Sequence, residues 1–355
     1  MKYQDEFRDQ ALAAKLIERI KNSGIKATLM EVCGTHTVAI FRSGIRSVLP
    51  KGIKLLSGPG CPVCVTPNEE IDKAIWLAEQ PGNIMVTFGD MLKVPGTNAS
   101  LEQKRGTGAE VKVIYSPLEA IDIARGNPNK KVIFFGVGFE TTTPTVAALI
   151  KTAKQENIRN LLLYSVHKLV PPALEALLSM GELKIDGLLL PGHVSTIIGL
   201  KPYQFLADKY NISGVVAGFE PLDILQAIMM LIESSEPKIG NQYIRVVHED
   251  GNHKAVSLMQ EVFEPADAVW RGLGLIPLSG LKLRDEYSAF DAEKVFQIPN
   301  LNSREPRGCA CGEVIRGVKT PLECKLFRKK CTPENPVGPC MVSTEGTCAA
   351  YYKYG

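Results

Sequence analysis

The sequence has no long apolar segment. No stretch approaches the roughly 18 consecutive apolar residues that indicate a membrane-spanning helix. Residues 1–24 are charged and amphipathic and lack the apolar core of a signal peptide. We therefore expect a cytoplasmic protein that does not enter the membrane. Hydrophobic residues make up 45% and charged residues 22% of the 355-residue chain, which is typical of globular proteins.

The sequence also lacks a strong excess of either charge. Its 41 Lys and Arg residues are interspersed with 38 Asp and Glu residues, for a formal net charge of +3. This balance predicts no binding of nucleic acid or of anionic membranes. One local basic run has two explanations, a solvated surface or a docking site for an acidic partner. It comprises Lys319, Lys325, Arg328, Lys329 and Lys330.

Several cofactor motifs are missing. There is no phosphate-binding Walker A sequence, and Gly136-Val137-Gly138 lacks the third glycine of a dinucleotide-binding loop. The radical-SAM spacing Cys-x3-Cys-x2-Cys does not occur either. What the sequence does have is nine cysteines, and a chain of this length needs no disulfide scaffold to fold. The cysteines therefore indicate metal or redox chemistry.

Short aliphatic runs alternate with helical segments, which is the pattern of parallel β-α-β units. Strands are predicted in two sets of four, at residues 27–32, 54–56, 84–88 and 111–115, and at residues 132–137, 161–166, 187–190 and 214–217. We interpret the chain as an α/β protein with two consecutive small parallel-sheet domains, residues 1–130 and 131–265. Residues 266–355 would form a connecting segment and a cysteine-rich segment.

Three cysteines lie upstream, beside glycines and prolines. The sequence GPGCPVC at residues 58–64 places Cys61 and Cys64 in a Cys-x-x-Cys turn, between a predicted strand and a helix that Thr66 would cap. The positive end of that helix would stabilise a thiolate, so the pair is expected to be reactive. An inert pair or a disulfide is the alternative.

Cys33 and His36 form the second upstream motif, in MEVCGTHT at residues 30–37. Cys33 follows the first predicted strand and the Cys-x-x-Cys turn follows the second. Both motifs therefore lie at carboxyl strand ends, where open α/β sheets bind their ligands. Three thiols and an imidazole in one crevice would suit zinc or iron. Taken singly, Cys33 could be a buried hydrophobe and His36 a structural histidine.

Polar residues follow other predicted strands as well. Phe88-Gly89-Asp90 comes after the third strand, and Gly138-Phe139-Glu140-Thr141-Thr142 comes after the fifth. Such residues could line a polar cleft or simply cap helices and solvate loops. His167 and His193 occupy similar positions, and each taken alone is more typical of a structural histidine.

Six cysteines lie near the C-terminus, with the spacing Cys-x-Cys-x12-Cys-x6-Cys-x8-Cys-x7-Cys. The paired Cys-x2-Cys knuckles of a zinc ribbon are absent from this segment. Six thiols exceed the four ligands of one zinc ion, but they suit a 4Fe-4S cluster with an adjacent dithiol. Zinc or disulfides are the alternatives. The six are Cys309, Cys311, Cys324, Cys331, Cys340 and Cys348.

Together, these motifs are similar to those of the HypD family of NiFe-hydrogenase maturation proteins, over nearly the whole chain. GPGCPVC and the six-cysteine tail are specific, whereas the glycine-rich segments alone would be weak. Some members carry a second histidine two residues after the first, where this chain has Val38. Cys33 and His36 match the motif.

The resemblance implies a scaffold on which an iron bearing cyanide and carbonyl ligands, the Fe(CN)2CO group, is assembled. The small protein HypC would be a partner, and cyanide would come from HypE, with HypF upstream. Cys33, Cys61 and Cys64 would be the iron-site or redox thiols, with His36 beside them.

The resemblance also implies a role for the six tail cysteines, similar to the cluster and disulfide of ferredoxin-thioredoxin reductase. Our assignment gives the 4Fe-4S cluster to Cys309, Cys324, Cys331 and Cys348, and the adjacent dithiol to Cys311 and Cys340. The alternative function is a cluster-dependent thiol-disulfide oxidoreductase acting on a protein partner, and a third is a structural zinc protein.

Overall fold

The computed structural model describes residues 5–182 and 184–355. The strands are β1 (Ala27–Glu31), β2 (Ile53–Ser57), β3 (Asn83–Thr87), β4 (Val111–Val113), β5 (Lys131–Gly138), β6 (Leu161–His167), β7 (Gly187–Pro191), β8 (Ser213–Ala217), β9 (Ile239–Asn241), β10 (Phe263–Trp270) and β11 (Gly274–Leu283). All eight strands expected from the sequence are among them.

The α-helices in the first half are α1 (Gln10–Asn22), α2 (Gly34–Arg42), α3 (Ile45–Val48), α4 (Pro62–Val65), α5 (Asn68–Glu79), α6 (Gly89–Leu92), α7 (Leu101–Gly106), α8 (Glu119–Arg125), α9 (Thr143–Gln155) and α10 (Val170–Ser179). Those that follow are α11 (Gly192–Ile198), α12 (Phe205–Asp208), α13 (Pro221–Ile232), α14 (His253–Val262), α15 (Ala292–Val295), α16 (Cys311–Ile315), α17 (Pro339–Val342) and α18 (Thr347–Tyr354). Short 3-10 helices occupy Asp5–Phe7, Lys201–Tyr203, Asp285–Phe290 and Pro321–Glu323. No described helix combines the length and the apolar character needed to span a membrane.

The strands form two parallel sheets and one antiparallel hairpin. Sheet A has the strand order β2-β1-β7-β8-β9, and sheet B has the order β4-β3-β5-β6. Both faces of sheet B are buried, as is usual for parallel sheets covered by helices. Successive residues of β5 therefore enter different apolar clusters, Ile133 and Phe135 on one face and Val132 and Phe134 on the other.

The predicted grouping of the strands into two consecutive sets is wrong. Sheet A contains β1 and β2 together with β7, β8 and β9, whereas sheet B contains β3 to β6. A boundary at residue 130 would pass through sheet B, since β4 ends before it and β5 begins after it. Regular spacing along the chain reports the length of a β-α-β unit, but pairing between strands is decided by non-local packing that spacing does not encode.

A second difference lies in the segment that the sequence suggested was connecting structure. Residues 263–283 form the antiparallel hairpin β10–β11, with a register shift between Ala266 and Ala268. Gly280 of β11 forms a bridge to Lys168, the residue after β6. The hairpin therefore packs against the carboxyl end of sheet B instead of merely linking it to the tail.

A buried ion pair connects sheet A to the C-terminal helix. Glu31 ends β1, and its Oε1 atom accepts hydrogen bonds from Arg46 Nη2 at 2.8 Å and Ser57 Oγ at 2.9 Å. The Arg46 guanidinium also lies over the rings of Phe41, at 4.7 Å, and Tyr351, at 5.6 Å. Burial raises the pKa of Glu31, while the Arg46 charge and the Ser57 hydrogen bond act in the opposite direction. Because Tyr351 belongs to α18, the ion pair holds that helix against the strand.

Loss of the cation in this pair is expected to destabilise the fold strongly. Arg46→Met leaves the fully buried Glu31 carboxylate without a charged partner, which should lower the free energy of unfolding by about 3 kcal/mol. Urea denaturation followed by circular dichroism measures this loss. Arg42→Met removes an exposed charge from α2 and should change stability by less than about 0.5 kcal/mol. If Arg46→Met and Arg42→Met lost equal amounts of unfolding free energy, the stabilising role of the Glu31–Arg46 ion pair would be contradicted.

Candidate metal and redox site

The two upstream cysteine motifs lie side by side, because β1 and β2 are hydrogen-bonded neighbours in sheet A. Cys33 occupies the position before α2, and Cys61 the position before α4. The amide N of Gly34 donates to the Gly60 carbonyl oxygen at 3.0 Å. A Cβ atom on Gly60 would collide with the backbone of Cys33, so this approach requires glycine. The expected meeting of the motifs at adjacent strand ends is found.

Cys61 and Cys64 form a disulfide in this structure. The pair was expected to be reactive thiols, with a disulfide as the alternative, and the alternative is observed. Cys61 Sγ also accepts a hydrogen bond from the amide N of Cys64 at 3.2 Å, within the first turn of α4. The sulfur atoms are shielded, since Cys61 is 5% and Cys64 2% exposed.

The helix cap expected at Thr66 is wrong. Thr66 Oγ1 donates to the Pro62 carbonyl oxygen at 2.8 Å, and α5 begins one residue later than predicted, after Pro67. The hydroxyl is used by α4, a short helix that the pattern of the sequence did not indicate. Glu305 accepts a hydrogen bond from the Asn68 amide at 3.1 Å, so a distant carboxylate performs the capping.

Cys33 has a buried thiol beside a carboxylate. Burial raises its pKa to about 11, and the charge of Glu345 adds to the shift. The amides of Thr35 and His36, in the first turn of α2, act in the opposite direction but do not cancel it. The group is therefore a neutral thiol at neutral pH, and it must lose a proton before it can bind a metal.

His36 is a buried, neutral imidazole. Its Nε2 atom lies 3.1 Å from the Ala217 carbonyl oxygen and 3.0 Å from that of Gly218, so Nε2 carries the proton and donates to both. Burial lowers the pKa of His36 to about 4. Nδ1 is buried and has no hydrogen-bond partner among the described residues. A neutral imidazole whose second nitrogen is oriented by carbonyl groups is the form that binds metals.

His193 lies beyond His36, across an aromatic ring. Phe219 stacks on His36 at a centroid distance of 4.7 Å and meets His193 at 4.1 Å. His193 is exposed, and the pKa of its imidazole is lowered by partial burial, whereas nearby Glu345 acts in the opposite direction. His167, in contrast, is buried in the core, with Nδ1 3.1 Å from Ser165 Oγ and with Nε2 lacking a hydrogen-bond partner among the described residues.

The segment between Cys340 and Cys348 covers the upstream site. Ser343 Oγ lies 3.4 Å from Cys61 Sγ and donates to Asp90 Oδ2 at 3.3 Å. Thr35 Oγ1 donates to Glu345 Oε1 at 2.5 Å. The sequence pattern does not single out Ser343 or Glu345, apart from their position between two cysteines.

The six tail cysteines line one small cavity. Its remaining walls are apolar and come from Ala310, Leu326, Phe327 and Met341, with Gly338 at one side. Cys311 Sγ and Cys340 Sγ lie 3.0 Å apart. The thiols of Cys309 and Cys340 hydrogen-bond to Cys311 and lower its pKa, whereas the pKa of Cys340 is raised by its contacts with Cys311 and Cys348.

The donor set of this cavity fits an iron-sulfur cluster. Soft thiols converge on a largely apolar space, and the amide N of Val337 donates to Cys331 Sγ at 3.3 Å, as amides do around cluster sulfurs. Within residues 5–182 and 184–355, no three His, Cys, Asp or Glu side chains are arranged to bind a single metal ion. Ligands of a cluster bind different iron atoms and need not converge in that way.

Arg271 connects the disulfide helix to the tail cavity. Its Nε and Nη2 atoms donate to the Thr66 carbonyl oxygen at 3.1 and 2.8 Å, and Nη2 also donates to Asn68 Oδ1 at 2.7 Å. Burial lowers the pKa of Arg271, while the thiols of Cys311, Cys340 and Cys309 oppose that shift. A buried cation therefore lies between the end of α4 and the cavity, and nothing in the sequence pattern singled it out.

Glu140, from the expected polar residues after β5, is 1% exposed. Its Oε1 atom accepts a hydrogen bond from the Val170 amide at 2.9 Å, and Oε2 has no partner among the described residues. Burial raises its pKa from 4.5 to about 7, against the two backbone hydrogen bonds. It borders a mainly apolar pocket, with Pro171, Ile198 and Met259 among the lining residues.

Comparison with known proteins assigns the chain to a class. Residues 10–355 match the family model HypD, described as the hydrogenase formation hypA family. The chain is 45% identical to hydrogenase maturation factor HypD2 of Bradyrhizobium diazoefficiens and to hydrogenase maturation factor HypD of Azotobacter vinelandii, over 100% of this chain and 97% of each relative. It is also 45% identical to a putative hydrogenase expression/formation protein of Methanocaldococcus jannaschii, over 98% of both chains.

These relatives are hydrogenase maturation proteins by name, from bacteria and an archaeon. The match covers both upstream motifs, both sheets and the cysteine tail. The chain belongs to the HypD family of hydrogenase maturation factors.

The buried Glu140 carboxyl predicts a pH-dependent stability. The folded pKa of Glu140, about 7, exceeds the ordinary 4.5. The contribution of this carboxyl to the free energy of unfolding is therefore fully present below pH 4.5, and it is lost as the pH rises through 7. Wild type should therefore lose up to about 3 kcal/mol relative to Glu140→Gln between pH 4.5 and 8. Urea unfolding at a series of pH values gives the difference. The exposed Glu18→Gln variant is the control, and it should follow the wild-type profile. If the free energies of unfolding of wild type and Glu140→Gln changed in parallel with pH, the raised pKa of Glu140 would be refuted.

Proposed function

We propose that the chain is a scaffold and redox protein for assembly of the Fe(CN)2CO group of NiFe-hydrogenases. The observation that carries the proposal is the contact of the Cys33 motif with the Cys61–Cys64 pair at adjacent strand ends. Three sulfur atoms and the unpaired Nδ1 of His36 then belong to one small region of the molecule. Soft donors of this kind suit iron that carries strong-field ligands.

The iron is the cargo of this site. Cys61 and Cys64 cannot bind it while they are joined, so the disulfide must first gain two electrons and two protons to become two thiols. Each thiol that binds iron then releases its proton. Cys33, next to Glu345, starts as a protonated thiol, and His36 is already neutral. Asp90 and Ser343 border the site and could orient a ligand.

The tail cysteines would hold a resident 4Fe-4S cluster, with Cys309, Cys324, Cys331 and Cys348 as ligands. When bound, the cluster supplies one-electron chemistry close to the Cys311–Cys340 dithiol. The 3.0 Å separation of Cys311 Sγ and Cys340 Sγ supports this partition, because two thiols so close can form a disulfide with little movement.

HypC is the expected docking partner, and HypE, charged with cyanide through HypF, is the expected donor. The upstream site is suited to an external partner because Thr35 and His193 reach the surface beside Cys33, which is itself buried. A partner that docks there would exclude water from the iron while its ligands are attached.

A second candidate function is a thiol-disulfide oxidoreductase that acts on a protein partner. The Cys61–Cys64 disulfide favours it. However, exchange proceeds by direct attack of one sulfur on another, and both sulfur atoms are covered. Iron bound beyond the cluster content distinguishes the scaffold from the oxidoreductase.

Removal of an upstream thiol should abolish cargo iron. Cys61→Ala, purified anaerobically with the HypC-type partner, should lack the cyanide and carbonyl stretches in the infrared and should fail to mature hydrogenase. Its visible charge-transfer absorption should remain that of wild type, because the tail ligands are intact. Ser47→Ala, at an exposed position, is the control. A Cys61→Ala protein that retains the stretches and matures hydrogenase would exclude Cys61 as an essential ligand.

The partition of the tail cysteines can be tested separately. After anaerobic reconstitution with iron and sulfide, Cys324→Ala and Cys331→Ala should each lose the brown charge-transfer absorption, because each removes a cluster ligand. Cys311→Ala should keep the absorption and lose only the dithiol. Iron and sulfide analysis quantifies the result. Loss of the cluster in Cys311→Ala, with retention in Cys324→Ala, would reverse the assignment.

A further inference from the structure

One wall of the tail cavity is basic on its outer side. The loop 322–330 places Leu326 and Phe327 along the cavity, with Cys324 partly exposed between the cavity and solvent. The intervening side chains face outward. The basic surface consists of the exposed residues Lys325, Arg328, Lys329, Lys330 and Lys353.

The positive charge of this surface is only partly offset, by Glu323 of the same loop, whose carboxylate accepts hydrogen bonds from Thr320. No described acidic side chain forms an ion pair with Lys325, Lys329 or Lys330, whereas Lys319 is paired with Glu313 at 2.5 Å and lies outside the surface. The chain as a whole carries a formal charge of only +3, so the cluster of cations is a local feature. Such a field steers an anionic partner toward one face of a protein.

The C-terminal helix holds the basic surface in place. Arg328 Nη2 donates to the carbonyl oxygens of Tyr351, at 3.1 Å, and Gly355, at 2.8 Å, at the end of α18. Its guanidinium packs over the rings of Phe327 and Tyr352. The loop is thus fixed between the cavity and α18. Leu322, which is 65% exposed, adds an apolar contact near Cys324.

We propose that the basic surface docks a small acidic one-electron carrier protein of the ferredoxin type, which delivers electrons across the wall at Cys324. Charge complementarity selects the acidic carrier, and Cys324, one of the two partly exposed cysteines of the cavity, lies beside the basic residues. At each encounter the carrier is oxidised by one electron, the bound cluster is reduced by one electron, and no atoms are exchanged. The inference rests on the proposed function, since it requires a cluster in the cavity.

The test compares two variants that lose the same charge. Lys325→Gln/Lys329→Gln/Lys330→Gln neutralises the basic surface. The control, Lys21→Gln/Lys26→Gln/Lys51→Gln, removes three exposed cations that precede β1 and β2, at the amino-terminal edge of sheet A. The probe is an acidic plant-type 2Fe-2S ferredoxin.

Two quantities are measured at low ionic strength. Calorimetric titration with the oxidised ferredoxin gives the Kd, and stopped-flow absorption gives the rate of cluster reduction by the reduced ferredoxin. The surface variant should bind about 10-fold more weakly and be reduced about 10-fold more slowly than wild type, with the control unchanged. Added salt should bring wild type to the level of the variant. Dithionite should reduce all three proteins alike.

The outcomes separate this inference from the proposed function. A reconstituted wild type without charge-transfer absorption would reject the cluster, whereas the ferredoxin titration would still report on docking. Equal binding and equal reduction rates in the surface variant and the control would overturn the docking site. Equally tight binding of a non-redox acidic protein, such as parvalbumin, would also overturn it, because the surface would then select charge without selecting a carrier.

Discussion

The arrangement of both sulfur sites depends on the packing of one short segment, Cys340 to Cys348. Its two ends line the tail cavity, while Ser343 contacts Cys61 and Glu345 lies against Gly34. The approach is so close that a Cβ atom at Gly34 would meet the Glu345 backbone. Movement of the segment would therefore disturb both sites at once. The two sites have separate cysteines, but they share this structural support.

A charged side chain acts on one cysteine of each site, with opposite effects on its pKa. Burial raises the pKa of Cys33 and the Glu345 charge adds to the shift, so this thiol keeps its proton at neutral pH. In the tail cavity, hydrogen bonds from the Cys309 and Cys340 thiols lower the pKa of Cys311, and the Arg271 charge adds to that shift. The proposed cluster would need permanent thiolate ligands, whereas the proposed scaffold would take up its cargo and release it again. A thiol that regains its proton easily binds a metal less permanently, which agrees with the proposed role of Cys33 at a cargo site.

The pattern of aliphatic runs was sufficient to predict the strands. The position of the two motifs after neighbouring strands was sufficient to predict that Cys33 meets the Cys-x-x-Cys turn, because carboxyl ends of adjacent parallel strands share one edge. These local patterns were insufficient for the assignment of strands to sheets. They also missed Ser343, Glu345 and Arg271, whose contacts at the site join residues more than 200 positions apart. No periodicity or motif encodes such a contact. It follows from tertiary packing alone.

The interleaved order of the sheets has a consequence for the site. The chain leaves sheet A after β2, builds sheet B, and returns to sheet A at β7. Asp90, after β3, thereby reaches Ser343, which in turn contacts Cys61. If the sheets belonged to two consecutive domains joined by a linker, the contact of Asp90 with Ser343 would depend on how the two domains are oriented. Two chain crossings fix it instead, and the proposed assembly of an iron group at this site would need such rigid positioning.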